Sequence, residues 1–145
     1  MKTIKSLMLL GVLAVTLSAC GTMNKSGEAK LFERLGGKEA ITAVVGHLWG
    51  LASKDYRINH YFANTSPDAF AGLMTDFLCE GTGGPCKYTG KNMYQAHVGM
   101  NITSKDFDIL ADHIVATLDH FNVPSAEKNE VMNLLGGMKG AVIDH

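Results

Sequence analysis

Proline is scarce in this chain, and no sign of charge prevails. Its 145 residues hold three prolines, and 13 lysines and arginines stand against 14 aspartates and glutamates, for a formal net charge of −1. So little proline excludes long stiff linkers, and the 16 glycines point instead to short turns. Absent too is any basic run, which with balanced charge leaves no reason to expect a nucleic-acid partner. No apolar stretch reaches the ~20 residues that a membrane-spanning helix needs. The six histidines form no His-x-x-x-His or His-x-His pair, so the spacing suggests no zinc site. Charged residues make up only 19% and hydrophobic ones 46%, the balance of a globular chain, and the length suits one domain. Methionine is plentiful by contrast, with eight copies of a soft, adaptable filler of irregular pockets.

The first residues read as a targeting segment. Lys2 and Lys5 make a basic start, Leu7 to Leu17 is almost wholly apolar, and Leu17-Ser18-Ala19-Cys20 follows. That order is a secretory signal. Its last four residues resemble the cleavage box of bacterial lipoproteins, which implies a lipid on Cys20 and a domain tethered to a membrane of the bacterial cell envelope, facing the periplasm. The other reading is an ordinary signal peptide or membrane anchor that merely contains a cysteine. On the lipoprotein reading, residues 1–19 are removed, residues 20–30 form a polar tether and residues 31–145 form the domain. Cys79 and Cys86 then remain, and an even number in an exported protein suggests a disulfide across the flexible Glu80–Pro85 segment. Two reduced thiols are the alternative.

After Lys30 the periodicity is helical, without repeats or alternating runs. Ile41, Val44, Val45, Leu48 and Trp49 share one face of a helix over about 38–52, after a Gly36-Gly37 turn. A second helix starts at Ser66, a capping residue, with Pro67 and Asp68 in its first turn. Its apolar face is Phe70, Leu73, Met74, Phe77 and Leu78, and it stops at a glycine-rich loop. A short helical piece within 90–100 carries Met93 and His97. Thr103-Ser104-Lys105-Asp106 resembles a capping box and opens a helix burying Phe107, Leu110, Ile114, Leu118 and Phe121. Pro124 breaks the chain, and a last helix carries Val131, Leu134, Leu135, Met138 and Val142, weakened or bent at Gly136-Gly137. A plain helical bundle is compatible with this pattern, so the class is all-α and the residues must decide further.

From Leu31 to about Val142 the sequence resembles the group I truncated haemoglobins. The likeness starts at Leu31-Phe32-Glu33-Arg34-Leu35-Gly36-Gly37 with Glu39-Ala40-Ile41, and continues through Tyr61-Phe62. It is densest at Gly83-Gly84-Pro85, Tyr88-Thr89-Gly90, Met93 and His97, and Ile102-Thr103 and Phe107 complete it. The resemblance implies a truncated globin fold, a two-over-two helical sandwich enclosing a b-type haem. By position in the motif, His97 is the proximal iron ligand, although one histidine on an apolar face is by itself an ordinary core residue. Met93, one helical turn earlier, faces the porphyrin with it, and Phe62 matches the phenylalanine that packs flat on the haem. Phe70 and Met74 point into the ligand cavity, and Leu73, Phe77, Ile102 and Phe107 complete the expected haem contacts.

Two departures from the family pattern stand out. Where many members place a tyrosine and a glutamine to hydrogen-bond bound oxygen, this chain has Trp49 and Met74. An indole only donates and a thioether donates nothing. Trp49 either supplies the bond or merely fills space, and without it oxygen is retained less tightly than in relatives with the pair. The basic residues that often hold the haem propionates are also missing from the second helix, leaving Lys87 and Lys91 as substitutes. His60 is a candidate for the pocket rim.

These features imply a haemoprotein that binds a diatomic gas (oxygen, nitric oxide or carbon monoxide) at the envelope, reduced by an unidentified reductase. Nitric-oxide dioxygenase and peroxidase-like activities and electron transfer stay open, though an apolar pocket lacks the acid–base groups of an efficient peroxidase. A non-haem helical lipoprotein acting as a structural module is the contrasting class.

Overall fold

Two of the long helices around the core begin at side-chain caps. Ser66 accepts a hydrogen bond from the Ala69 amide at 3.2 Å and opens the helix Pro67–Gly81. Thr103 Oγ1 accepts from the Asp106 amide at 3.2 Å while Asp106 Oδ2 accepts from the Thr103 amide at 3.0 Å, a reciprocal box that opens the helix Ser104–His120. Each satisfies amides that the first helical turn leaves without a partner. The computed structural model describes residues 29–144; the expected signal segment, Cys20, the expected tether up to residue 28 and His145 lie outside them.

The described residues form six α-helices and two short 3-10 turns. In order they are α1 (Leu31–Arg34), α2 (Gly37–Ala52), a 3-10 turn (Asn59–Phe62), α3 (Pro67–Gly81), α4 (Met93–His97), α5 (Ser104–His120), α6 (Ser125–Gly136) and a second 3-10 turn (Lys139–Ala141). The sharp entry to α2 requires Gly36 at φ +94° and Gly37 at φ +79°, where a side chain would be strained. Among these residues no helix is long and apolar enough to cross a membrane.

α2 is the central element, packing on both α3 and α5, while α5 also packs on α6. Its apolar stripe divides accordingly: Ile41 and Val45 meet Leu78 and Cys79 of α3, and Leu48 meets Ile114, Leu118 and Val131 of α5 and α6. Ala52, Ile58 and Ile109 close the far end. Arg34 ties α1 to α6 by donating to Glu127 at 3.1 Å and to Glu130.

Cys79 and Cys86 form a disulfide, with Cα atoms 5.7 Å apart. The bridge joins the buried end of α3 to the loop that leads to α4. Gly84 fits against it so closely that a Cβ there would lie 2.7 Å from Cys79 Sγ and 2.5 Å from the Phe32 ring.

Two sequence expectations need correction. The last helix does not run to Val142: it ends at Gly136, with Gly137 as its cap, and the chain re-forms as the second 3-10 turn. Paired glycines cost the helix enough to end it, although Val142 still turns inward. Phe121 is not core either. α5 stops at His120, so Phe121 leaves the buried stripe and lies 39% exposed, edge-on to His47 and His120.

Candidate functional site

The space between these helices is an apolar cavity of about 190 Å³. Phe70, Met74 and Phe77 enter it from α3, one stripe at helical spacing. Leu48 of α2 and Tyr61 and Phe62 of the first 3-10 turn continue that wall. Met93 and His97 come from α4, followed by Met100 and Ile102. Phe107, Leu110 and Ile114 of α5 form the floor, with Met132 and Leu135 of α6, and Met138 and Val142 beyond it.

His97 is the chemical centre of this lining. Asn92 caps α4 by accepting from the Gln95 amide at 2.8 Å, which fixes the short helix that carries the imidazole. His97 Nδ1 lies 2.7 Å from the Met93 carbonyl oxygen. A carbonyl only accepts, so Nδ1 carries a hydrogen, which leaves Nε2 as the ring nitrogen available to a metal. A metal-bound histidine is held in this way, its second nitrogen donating to a backbone carbonyl.

The other polar groups of the wall are engaged with one another. Tyr61 donates its hydroxyl to Asp106 Oδ2 at 3.0 Å, and the same carboxylate accepts from the Thr103 amide and hydroxyl. The Thr103 hydrogen bonds hold the Asp106 carboxyl below its ordinary range, with a smaller effect from Tyr61. Burial, and then Asp106, push the Tyr61 phenol above its ordinary value. At neutral pH the phenol is therefore protonated and the carboxylate charged, and the pair joins the first 3-10 turn to the start of α5.

Among the described residues no three or more His, Cys, Asp or Glu side chains gather in a way that could hold a bare metal ion. One imidazole in an apolar cleft fits a metal whose other ligands arrive with it, as a porphyrin's iron does. The residues present therefore fit a haem.

Trp49 and Leu73 are not on the cavity wall. Trp49 sits behind it, its ring centroid 4.9 Å from Phe70 and 5.8 Å from Phe62, buttressing both. Leu73 is 47% exposed, because it falls off the Phe70–Met74–Phe77 stripe toward the outer side of α3. Neither Lys87 nor Lys91 is among the residues that line the cavity. Lys87 is turned out to an ion pair with Glu80 at 3.3 Å, and Lys91 contributes a backbone carbonyl to the Tyr88 hydroxyl. A cation beside the cavity is Lys139, 5.1 Å above the Phe107 ring and paired with Asp108. His60 lies against the Tyr61 ring rather than on the cavity wall.

Sequence reasoning missed Met100, Met132 and Met138. All the methionines among the described residues, these and Met74 and Met93, line the one cavity. The surplus of methionine was the available signal; what it lacked was position.

Comparison with known proteins adds a lineage to this geometry. The sequence matches the family described as bacterial-like globin over residues 30–144. A group 1 truncated haemoglobin of Tetrahymena pyriformis is 38% identical over 105 residues, covering 72% of this chain and 87% of that protein. One from Mycolicibacterium paratuberculosis is 31% identical over 111 residues, covering 77% of this chain and 82% of that protein. The crystal structure of the Tetrahymena pyriformis truncated haemoglobin in its Fe(III) form superposes with a TM-score of 0.76 at 34% identity, over 80% of this chain and 99% of that one. The 2/2 haemoglobin of Synechococcus sp. PCC 7002, in the cyanomet state with covalently attached haem, gives a TM-score of 0.75 at 29% identity, over 81% of this chain and 100% of that one.

Proposed function

This chain belongs to the bacterial-like globins, a haem-binding family, alongside the group 1 truncated haemoglobins, and on that premise we propose that it holds a b-type haem on His97 and binds a diatomic gas there. The observation that carries this reading is the hydrogen bond from His97 Nδ1 to the Met93 carbonyl at the edge of an apolar cavity, which leaves Nε2 as the nitrogen free to coordinate iron. When bound, the iron supplies a coordination position for the gas.

The chain's own residues do the rest. Phe62, Phe70, Phe77 and Phe107 offer ring faces and edges to a porphyrin and exclude water, each side chain gaining about 1.5–3 kcal/mol when fully buried. The Asn92 cap and the Met93 carbonyl keep the imidazole in one orientation and one tautomer. The α3 wall of Phe70, Met74 and Phe77 presents no N–H or O–H to a bound gas. Oxygen, whose bound form is polar, loses about 1–3 kcal/mol relative to a site that supplies such a bond. Nitric oxide and carbon monoxide lose less, so this wall favours those gases over oxygen. Tyr61 and Asp106 are committed to each other, so the cavity offers no free acid–base pair for peroxidase chemistry.

The run Leu17-Ser18-Ala19-Cys20 supports a lipid anchor at Cys20 and a site on the periplasmic side of the envelope, supplied with electrons by a separate reductase. Mass spectrometry of the membrane fraction, with Cys20→Ser as control, tests the anchor.

Titration of the purified protein with haemin tests the site. One equivalent is expected to give a sharp Soret band; His97→Gly loses it or shifts it strongly, and added imidazole restores it. A wild type that folds fully and stays colourless with haemin present would leave a non-haem helical module instead.

A further inference from the structure

We propose that Met74 supplies its thioether sulfur as the second axial ligand of the haem iron at rest, so that a gas enters by displacing it. This rests on the haem reading above and deepens it.

Three observations point to Met74. A six-coordinate iron takes its second axial ligand from the face opposite the first, and His97 reaches the cavity on α4. α4 lies against the second 3-10 turn, whereas α3 lies against α2, so Met74 and His97 enter from different walls. Next, the α3 wall holds one atom able to coordinate iron, since its other cavity residues, Phe70 and Phe77, are hydrocarbon. The Tyr61 hydroxyl is bound to Asp106, and the His60 ring is laid on Tyr61 outside the cavity. Finally, the remaining cavity methionines are placed elsewhere. Met93 and Met100 flank His97 on its own side, and Met138 begins the turn against which α4 packs. Met74 and Met132 each pack on a core cluster as well as lining the cavity, and they differ in the helix that carries them, α3 for Met74 and α6 for Met132.

A thioether is a soft, neutral ligand. Paired with histidine it raises the reduction potential of haem iron, favouring the ferrous state that binds gases. The exchange is simple: the iron–sulfur bond breaks as the iron–gas bond forms, no electron or proton moves, and the free thioether returns to an apolar wall that needs no hydrogen bond.

Absorption and magnetic circular dichroism spectra of the haem-loaded ferric protein, without added ligand, test this. The expected result is a low-spin spectrum with the weak sulfur-to-iron charge-transfer band at the red end of the visible. Met74→Leu, close to wild type in volume, is expected to keep the Soret band, the haem stoichiometry and the helical circular dichroism. It loses the charge-transfer band, becomes high-spin and falls in reduction potential. Met132→Leu keeps the band. Carbon monoxide binding to the ferrous wild type should reach a rate plateau set by loss of sulfur, while Met74→Leu stays linear in gas concentration. A high-spin wild type with a normal Soret band, or a charge-transfer band that survives Met74→Leu, overturns the proposal while leaving haem binding intact. A missing Soret band overturns the haem reading itself.

Discussion

Asp55 and His113, 58 residues apart in sequence, meet at 2.8 Å between Oδ2 and Nε2, and that contact joins the turn after α2 to the middle of α5. The same carboxylate accepts from the Arg57 backbone amide at 3.0 Å and from its guanidinium. Three donors from two elements thus converge on one nearly buried anion, beside the turn that carries Tyr61 and Phe62.

That convergence makes a pH prediction. The Arg57 side chain most of all, and His113 with it, hold the Asp55 carboxyl far below the ordinary carboxylate range, against the opposing effect of burial. A carboxyl with a folded pKa below its unfolded value, about 4, contributes stability that is present above that pH and lost as pH falls through the folded value. Asp55→Asn is therefore expected to be less stable than wild type at neutral pH, with the gap narrowing below about pH 4. Urea unfolding across pH 2–7 checks this, and a gap independent of pH would refute it.

The Cys79–Cys86 bridge closes a short loop, so the chain-entropy argument gives it about 2–3 kcal/mol. Cys86→Ser, or wild type treated with dithiothreitol, is expected to unfold at lower denaturant by that amount. Guanidinium unfolding of the oxidised and reduced forms measures it, and coincident curves would show that the bridge does nothing for the fold.

Gly84 makes a separate steric prediction. Its Cβ position is occupied by Phe32 and Cys79 Sγ, both inside van der Waals contact. Gly84→Ala is expected to cost about 1–3 kcal/mol by overpacking, read as a lowered Tm. Phe32→Leu in the same background should recover part of it, and no recovery would place the strain elsewhere.

Oxygen retention separates Trp49 from Met74. Because Trp49 lies behind Phe62 and Phe70, Trp49→Phe should leave the oxygen dissociation rate of the haem-loaded protein close to wild type. Met74→Gln places an amide donor on the cavity wall and is expected to slow dissociation by about 5- to 150-fold, the equivalent of 1–3 kcal/mol. Stopped-flow displacement of oxygen by carbon monoxide reads both, and a large effect of Trp49→Phe would return the hydrogen-bonding role to the indole.

Much of the helical skeleton was legible because its signals are local. Ser66-Pro67-Asp68 and Thr103 with Asp106 reach only three residues along the chain, and each opens the helix that its chemistry favours. The stripe Phe70–Met74–Phe77 is equally local, a matter of helical period. Local reading faltered where two signals competed. At Gly136-Gly137 the apolar period continues to Val142, but the backbone cost of two glycines prevails. At Leu73 the residue is apolar and near the stripe, yet nothing in its neighbours says which edge of α3 meets solvent.

The composition and order of residues alone determined an all-α chain, its main helix starts, the stripe on α3 and the isolated histidine at position 97. Only the tertiary structure decided that Trp49 stands behind the cavity wall, that Lys87 turns away while Lys139 covers Phe107, and that methionines from α3, α4, α6 and the loops converge on one space. The physical reason is reach. Caps and helical periods act over a few residues of one chain segment, whereas a cavity wall is set by how distant helices pack, and no single segment holds that information.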